Sequence, residues 1–191
     1  WLGAGTCGST SATPTNTPTN TPTNTPTATA TATPTATATG SPSCTPAQIT
    51  TLFTSNNGGS NGGANYFDVT AAANPLTVTA FDINTASTAA FSNVRVYVLP
   101  GMTSVGNETN MALWTQVATG SGTGAGQDLP THVTLSNPFI LNAGTLYGIA
   151  IVADASFGLR YTNGTGANQN YSNADLSVAL GAASNVPFTA P

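Results

Sequence analysis

Lysine is absent, Arg95 and Arg160 are the only cations, and charged residues make up 4% of the 191-residue chain. Phosphate backbones are bound by clustered Lys and Arg, so nucleic acid is excluded as a partner class. The longest apolar run, Tyr147 to Ala153, is too short to cross a bilayer, and no membrane span is expected. His132 is the single histidine, and alternation in Thr131 to Leu135 places it with Thr134 on a solvent face. Neither cysteine, Cys7 or Cys44, has a histidine near it in sequence, and no zinc-ligand spacing occurs. Asp68, Asp82, Asp128, Asp154, Asp175 and Glu108 stand singly, with neither an Asp-x-Asp-x-Asp loop for calcium nor a nominated carboxylate pair for hydrolysis. The glycine-rich run 58–63 lacks the lysine and helix that a phosphate cradle needs, and reads as a wide hairpin loop. These absences lead us to expect no enzyme, no metal site and no cofactor.

What the chain has in abundance is threonine. From Ser9 to Ser43 almost every second residue is Thr, first as Thr-Pro-Thr-Asn repeats and then as Thr-Pro-Thr-Ala and Thr-Ala. Prolines at 14, 18, 22, 26, 34 and 42 remove backbone donors and fix φ, and no side chain here is large enough to build a core. The segment reads as an extended, polyproline-like spacer with a reach of roughly 100 Å at about 3.1 Å per residue. Ser/Thr with Pro is also the composition of O-glycosylated mucin-like stalks. Thr13, Thr15, Thr17, Thr19, Thr21, Thr23, Thr25, Thr27, Thr29, Thr31, Thr33, Thr35, Thr37 and Thr39 are the expected glycan acceptors. Sugar there would stiffen the arm and solubilise a nearly uncharged chain.

Cys7 and Cys44 bracket the spacer, and an even pair in a Thr/Ser/Asn/Gly-rich, charge-poor chain points to an extracellular disulfide, with a free buried thiol as the alternative. The chain starts on Trp1 and so reads as processed or partial. Asn107-Glu108-Thr109, Asn163-Gly164-Thr165 and Asn170-Tyr171-Ser172 are N-glycosylation sequons.

After Cys44 the pattern turns to period-two alternation with turn punctuation, and no stretch of ten or more residues has a helical period. Strands are expected near 49–54, 65–70, 76–84, 94–99, 114–120, 132–135, 139–141, 145–153, 159–162 and 176–180. Val94, Val96 and Val98 should face the core with Arg95 and Tyr97 outward. The apolar parity switches between Val78 and Phe81, which predicts a bulge or corner. Thr145 to Ala153 is apolar on both parities and should be a central strand covered on both sides. The fold class is all-β, a jelly-roll-type β-sandwich preceded by the extended arm. The expected domains are 1–8, an N-terminal strand; 9–43, the linker; and 44–191, the sandwich.

Tyr66-Phe67-Asp68-Val69-Thr70-Ala71, Val78-Thr79-Ala80-Phe81-Asp82-Ile83, Val96-Tyr97-Val98-Leu99-Pro100-Gly101, Leu146-Tyr147-Gly148-Ile149-Ala150-Ile151 and Tyr161-Thr162-Asn163-Gly164 resemble sandwich modules of secreted bacterial proteins. Such modules close with a Trp-x-Gly-Thr-like strand, whereas this sequence ends Val186-Pro187-Phe188-Thr189-Ala190-Pro191 and carries the similar run Trp1-Leu2-Gly3-Ala4-Gly5-Thr6 at its other end. The chain thereby resembles subunits of pilus-like extracellular filaments. That resemblance implies donor-strand complementation: Trp1, Leu2, Gly3, Ala4, Gly5 and Thr6 of one subunit would complete the sheet of the next, giving a helical homopolymer of identical subunits. A Cys7–Cys44 bond would then be either intrachain or interchain. The other function in view is a monomeric carbohydrate-binding or adhesin domain on a mucin-like stalk, with an exposed aromatic row.

Overall fold

The structure, a computed structural model, describes the backbone of Leu2–Gly5 and the whole of residues 46–191. Twelve strands follow one another: β1 (Leu2–Gly5), β2 (Pro46–Ile49), β3 (Asn57–Asn61), β4 (Ala64–Ala71), β5 (Leu76–Ile83), β6 (Ala90–Pro100), β7 (Thr115–Thr123), β8 (Thr131–Leu141), β9 (Leu146–Val152), β10 (Gly158–Tyr161), β11 (Asn170–Ser172) and β12 (Leu176–Ser184). A single 3-10 turn, Met111–Leu113, is the only helical element among the described residues. Ten strands form one sheet in the order β11-β12-β4-β9-β6-β7-β8-β5-β1-β2, while β10 and β3 form a second. Every strand pairing is antiparallel.

The large sheet curls over on itself into a sandwich, so that Val69, Ile149 and Val178 meet Val78, Phe81, Val133 and Leu141 in one core. Its two edges come back together. Asn173 Nδ2 donates to the Gln48 carbonyl at 2.7 Å, and Tyr171 Oη accepts from Leu52 N at 3.1 Å. β9 lies between β4 and β6 and is covered on both faces, as its two-sided apolar run predicts: Ile149 and Ile151 face the main core, Ala150 and Val152 a smaller outer cluster. In that outer cluster Phe188 sits among Tyr97, Trp114 and Tyr66 at ring separations of 5.0, 5.9 and 6.1 Å. Phe188 has φ +60, a left-handed conformation, and donates its N–H to Tyr66 Oη at 2.7 Å.

The corner expected in β5 is present. The β5–β8 register shifts between Val78 and Ala80, where Val78 pairs Phe139 and Ala80 pairs Thr134. The same bulge fuses the two short strands expected at 132–135 and 139–141 into the single bent strand β8. Val94, Val96 and Val98 do face the core. Tyr97 is on the opposite face, as expected, but it is buried there because the C-terminal segment lays Phe188 over it.

The strand expected at 49–54 ends at Ile49, since the backbone beyond it is claimed by side chains. Leu52 N bonds Tyr171 Oη, the Phe53 carbonyl accepts from Asn84 Nδ2, and the Thr54 carbonyl accepts from Thr162 Oγ1. The glycine-rich run read as a loop is partly strand β3, because β10 approaches too closely for side chains: a Cβ on Gly158 would lie 2.1 Å from the Gly59 oxygen. Likewise β7 runs through Gly120 and Gly122, where Cβ atoms would strike Val133 and the His132 carbonyl at 2.4 and 2.2 Å. Glycine there marks close packing of two strands.

Candidate functional site: the strand slot and the cleft at its end

β1 is an interior strand of the large sheet although it stands first in the chain. On one side Leu2, Gly3, Ala4 and Gly5 pair with Ile49, Gln48, Ala47 and Pro46. On the other they pair with Phe81, Ala80, Val78 and Thr77, the register slipping between Gly3 and Ala4. The slot is thus a groove of main-chain donors and acceptors between two antiparallel strands. Its walls contribute Ala47, Ile49, Val78 and Phe81 to the core. β2 has no sheet neighbour other than β1. Withdrawing β1 would therefore expose the edge of β5 and strip β2 of its ladder together. Of the expected donor-strand residues, Leu2 to Gly5 are seen in this place; Trp1 and Thr6 lie outside the described residues, as do Cys7, Cys44 and all fourteen threonines from Thr13 to Thr39.

Where the slot ends, the two layers of the sandwich part and leave a cleft of about 450 Å³. Phe67, Phe81, Ile151, Leu159, Val178 and Leu180 make its apolar floor, and Asn65, Arg160, Tyr161, Asn163 and Asn168 line it with polar groups. Arg160 extends across β3, made possible by Gly58, whose absent Cβ would be 2.9 Å from the guanidinium Nη1. Asp82 also lines the cleft, and its carboxylate is bonded to His132 Nδ1 at 2.8 Å. His132 itself is more than half exposed, in keeping with its position on the outer parity of β8.

The segment joining β2 to β3 forms one lip of the cleft and is clasped by Asp128. One oxygen of this carboxylate accepts from Ser55 Oγ at 2.6 Å, Ser55 N at 2.7 Å and Asn84 Nδ2 at 3.0 Å, while Asp128 N donates to Asn84 Oδ1. The Ser55 hydroxyl first, then Asn84 and the Ser55 amide, stabilise the anion and lower the Asp128 pKa to about 2. Asp154 is likewise held below the usual carboxylate range, chiefly by the Ser156 amide and hydroxyl. Asp68 accepts from Thr103 Oγ1 and from Ser104 N at 2.6 Å. Each of these carboxylates is thus used as a local staple. No group of three His, Cys, Asp or Glu residues comes together among the described residues, and no helix there is long and apolar enough to cross a membrane.

Among the described residues an exposed aromatic row is not assembled. Tyr66, Tyr97, Trp114 and Tyr147 are buried, and only Tyr161 and Tyr171 are half-exposed, at the cleft and at the sheet edge. The cleft escapes sequence reasoning because six separate stretches of chain build it. The one available signal was Arg160, a rare cation placed next to Leu159 in an otherwise uncharged strand. No family model, curated protein or solved structure matches this chain.

Proposed function

We propose that this chain is the structural subunit of an extracellular filament, polymerising head to tail as residues 2–5 of one subunit enter the slot between β5 and β2 of the next. The observation that carries the reading is the position of β1: an interior strand of the sheet, supplied from beyond residues 6–45. A slot that recognises main chain and small or apolar side chains accepts the same strand from any copy of the chain. A connection of that length is far longer than domains use to join adjacent strands. As a flexible coil it would span about 35 Å, and several times that when extended, so it imposes no choice between the chain's own slot and a neighbour's. Exchange of an identical element between copies is a low-cost route to assembly, and because donor and slot are different surfaces the contact propagates.

The cysteines fit the same joint. Leu2 pairs with Ile49 and Gly5 with Pro46; Cys7 and Cys44 lie outside the described residues, and the same register carried two residues further would set them opposite each other. A disulfide formed there by exchange with an oxidised disulfide donor would lock the strand in whichever slot it occupies. In a filament it would join subunits. Glycans on the spacer threonines would keep the exposed arm extended and soluble.

The test is expression with and without residues 1–6, followed by light scattering, negative-stain microscopy and non-reducing electrophoresis. Fibres and a reducible ladder from the full chain, with neither from the truncation, are expected. Well-folded monomers from both chains would end the filament reading and leave the sugar-binding stalk domain, to be pursued on glycan arrays.

A further inference from the structure

Arg160 is one of two cations in a chain with six carboxylates, yet it takes part in no ion pair or side-chain hydrogen bond among the described residues. The acids that might have neutralised it are committed elsewhere: Asp82 to His132, Asp68 to Thr103 and Ser104, Asp128 to Ser55 and Asn84, and Asp154 to Ser156 and Asn93. A guanidinium is a planar fork matched to a carboxylate, and leaving it unpaired beside apolar surface forfeits its strongest interaction. It is also held in place, packed across Gly58 of β3. Directly beside it lies the cleft of about 450 Å³ with a floor of Phe67, Phe81, Ile151, Leu159, Val178 and Leu180. That volume is within the usual range for small-ligand sites, which combine mostly apolar walls with a few orienting polar groups.

We propose that this cleft is a binding site for a free aliphatic carboxylate of fatty-acid type, its chain laid along the apolar floor and its head paired with Arg160. The amides of Asn163 and Asn168 and the Tyr161 hydroxyl stand at the same lining to hydrogen-bond the head group's remaining lone pairs.

The full-length chain is titrated with decanoate and with decanol by calorimetry. Decanoate is expected to bind at one site per chain, about ten- to a hundredfold more tightly than decanol, as a charge-assisted hydrogen bond provides. Arg160→Gln should lose that advantage while binding decanol as before, and Arg160→Lys should recover part of it. Leu180→Trp, which fills the cleft from a half-exposed position, should abolish both, with circular dichroism confirming that each variant is folded. Three results would each overturn the proposal: no decanoate uptake by the wild-type chain, equal decanoate affinity for wild type and Arg160→Gln, or a cleft that takes up cellohexaose and excludes decanoate.

Discussion

Phe188 offers a direct check on how the outer face of the sandwich is closed. Its ring meets Tyr97, Trp114 and Tyr66 in tilted or edge-on contacts, and it is itself half-buried. Removing a fully buried Phe ring costs about 3–5 kcal/mol, so a half-buried one in three aromatic contacts corresponds to about 2–3 kcal/mol for Phe188→Ala. For a chain of this size that is a fall in Tm of about 5–10 °C. The backbone adds a second, opposite effect. At φ +60 any residue with a Cβ is strained, and an alanine at such a position is less stable than a glycine by about 1 kcal/mol. Phe188→Gly should therefore melt above Phe188→Ala, the reverse of the usual order in extended chain. Thermal unfolding followed by far-ultraviolet dichroism measures both, and emission from the buried Trp114 reports loss of the covering ring. A Phe188→Ala variant that melts with the wild type would show that the ring is not seated among its three neighbours. A glycine variant less stable than the alanine one would refute the left-handed backbone.

Two further predictions concern the surface. Asp128 has its folded pKa lowered to about 2, so its clasp on Ser55 and Asn84 contributes fully above the unfolded value near 4 and is lost as pH falls through about 2; the stability gap between wild type and Asp128→Asn should close over that window, and a gap that stays constant would remove the charge from the explanation. Among the three sequons, Asn107 is poorly placed for modification, since its Nδ2 donates to the Thr103 carbonyl and its own carbonyl takes the Trp114 indole N–H, whereas Asn170 is exposed on the edge strand β11 with Ser172 on the same face. In native protein that is N-glycosylated at all, peptide mapping should find sugar on Asn170 and none on Asn107, and the opposite occupancy would contradict the folded geometry.

Strands with dense alternation were readable in sequence because side-chain parity is a local property. β4, β5 and β9 lie within two residues of expectation, and the parity switch between Val78 and Phe81 located the corner that lets the sheet double over. Tertiary proximity was not readable. β3 contains Gly58-Gly59 and looks like a turn until β10 is seen packed against it; β11 is three residues long and exists only because it pairs with β12. The apolar tip at the start of the chain announced a strand without naming its partners, since residues 2–5 could pair with any free edge. Arg160 could be noticed as rare, but whether a carboxylate reaches it depends on where Asp82 turns, and Asp82 turns to His132.

The placement of Gly5 beside Pro46 governs how the joint would carry force. In a subunit completed by its own strand, tension in residues 6–45 pulls those two neighbours apart and opens the β1–β2 ladder one pair at a time from that end. In a subunit completed by another chain's strand, the load enters along the strand axis, and the ladders on both sides of β1 must slide together. The same four residues are a zipper in the first arrangement and a rivet in the second.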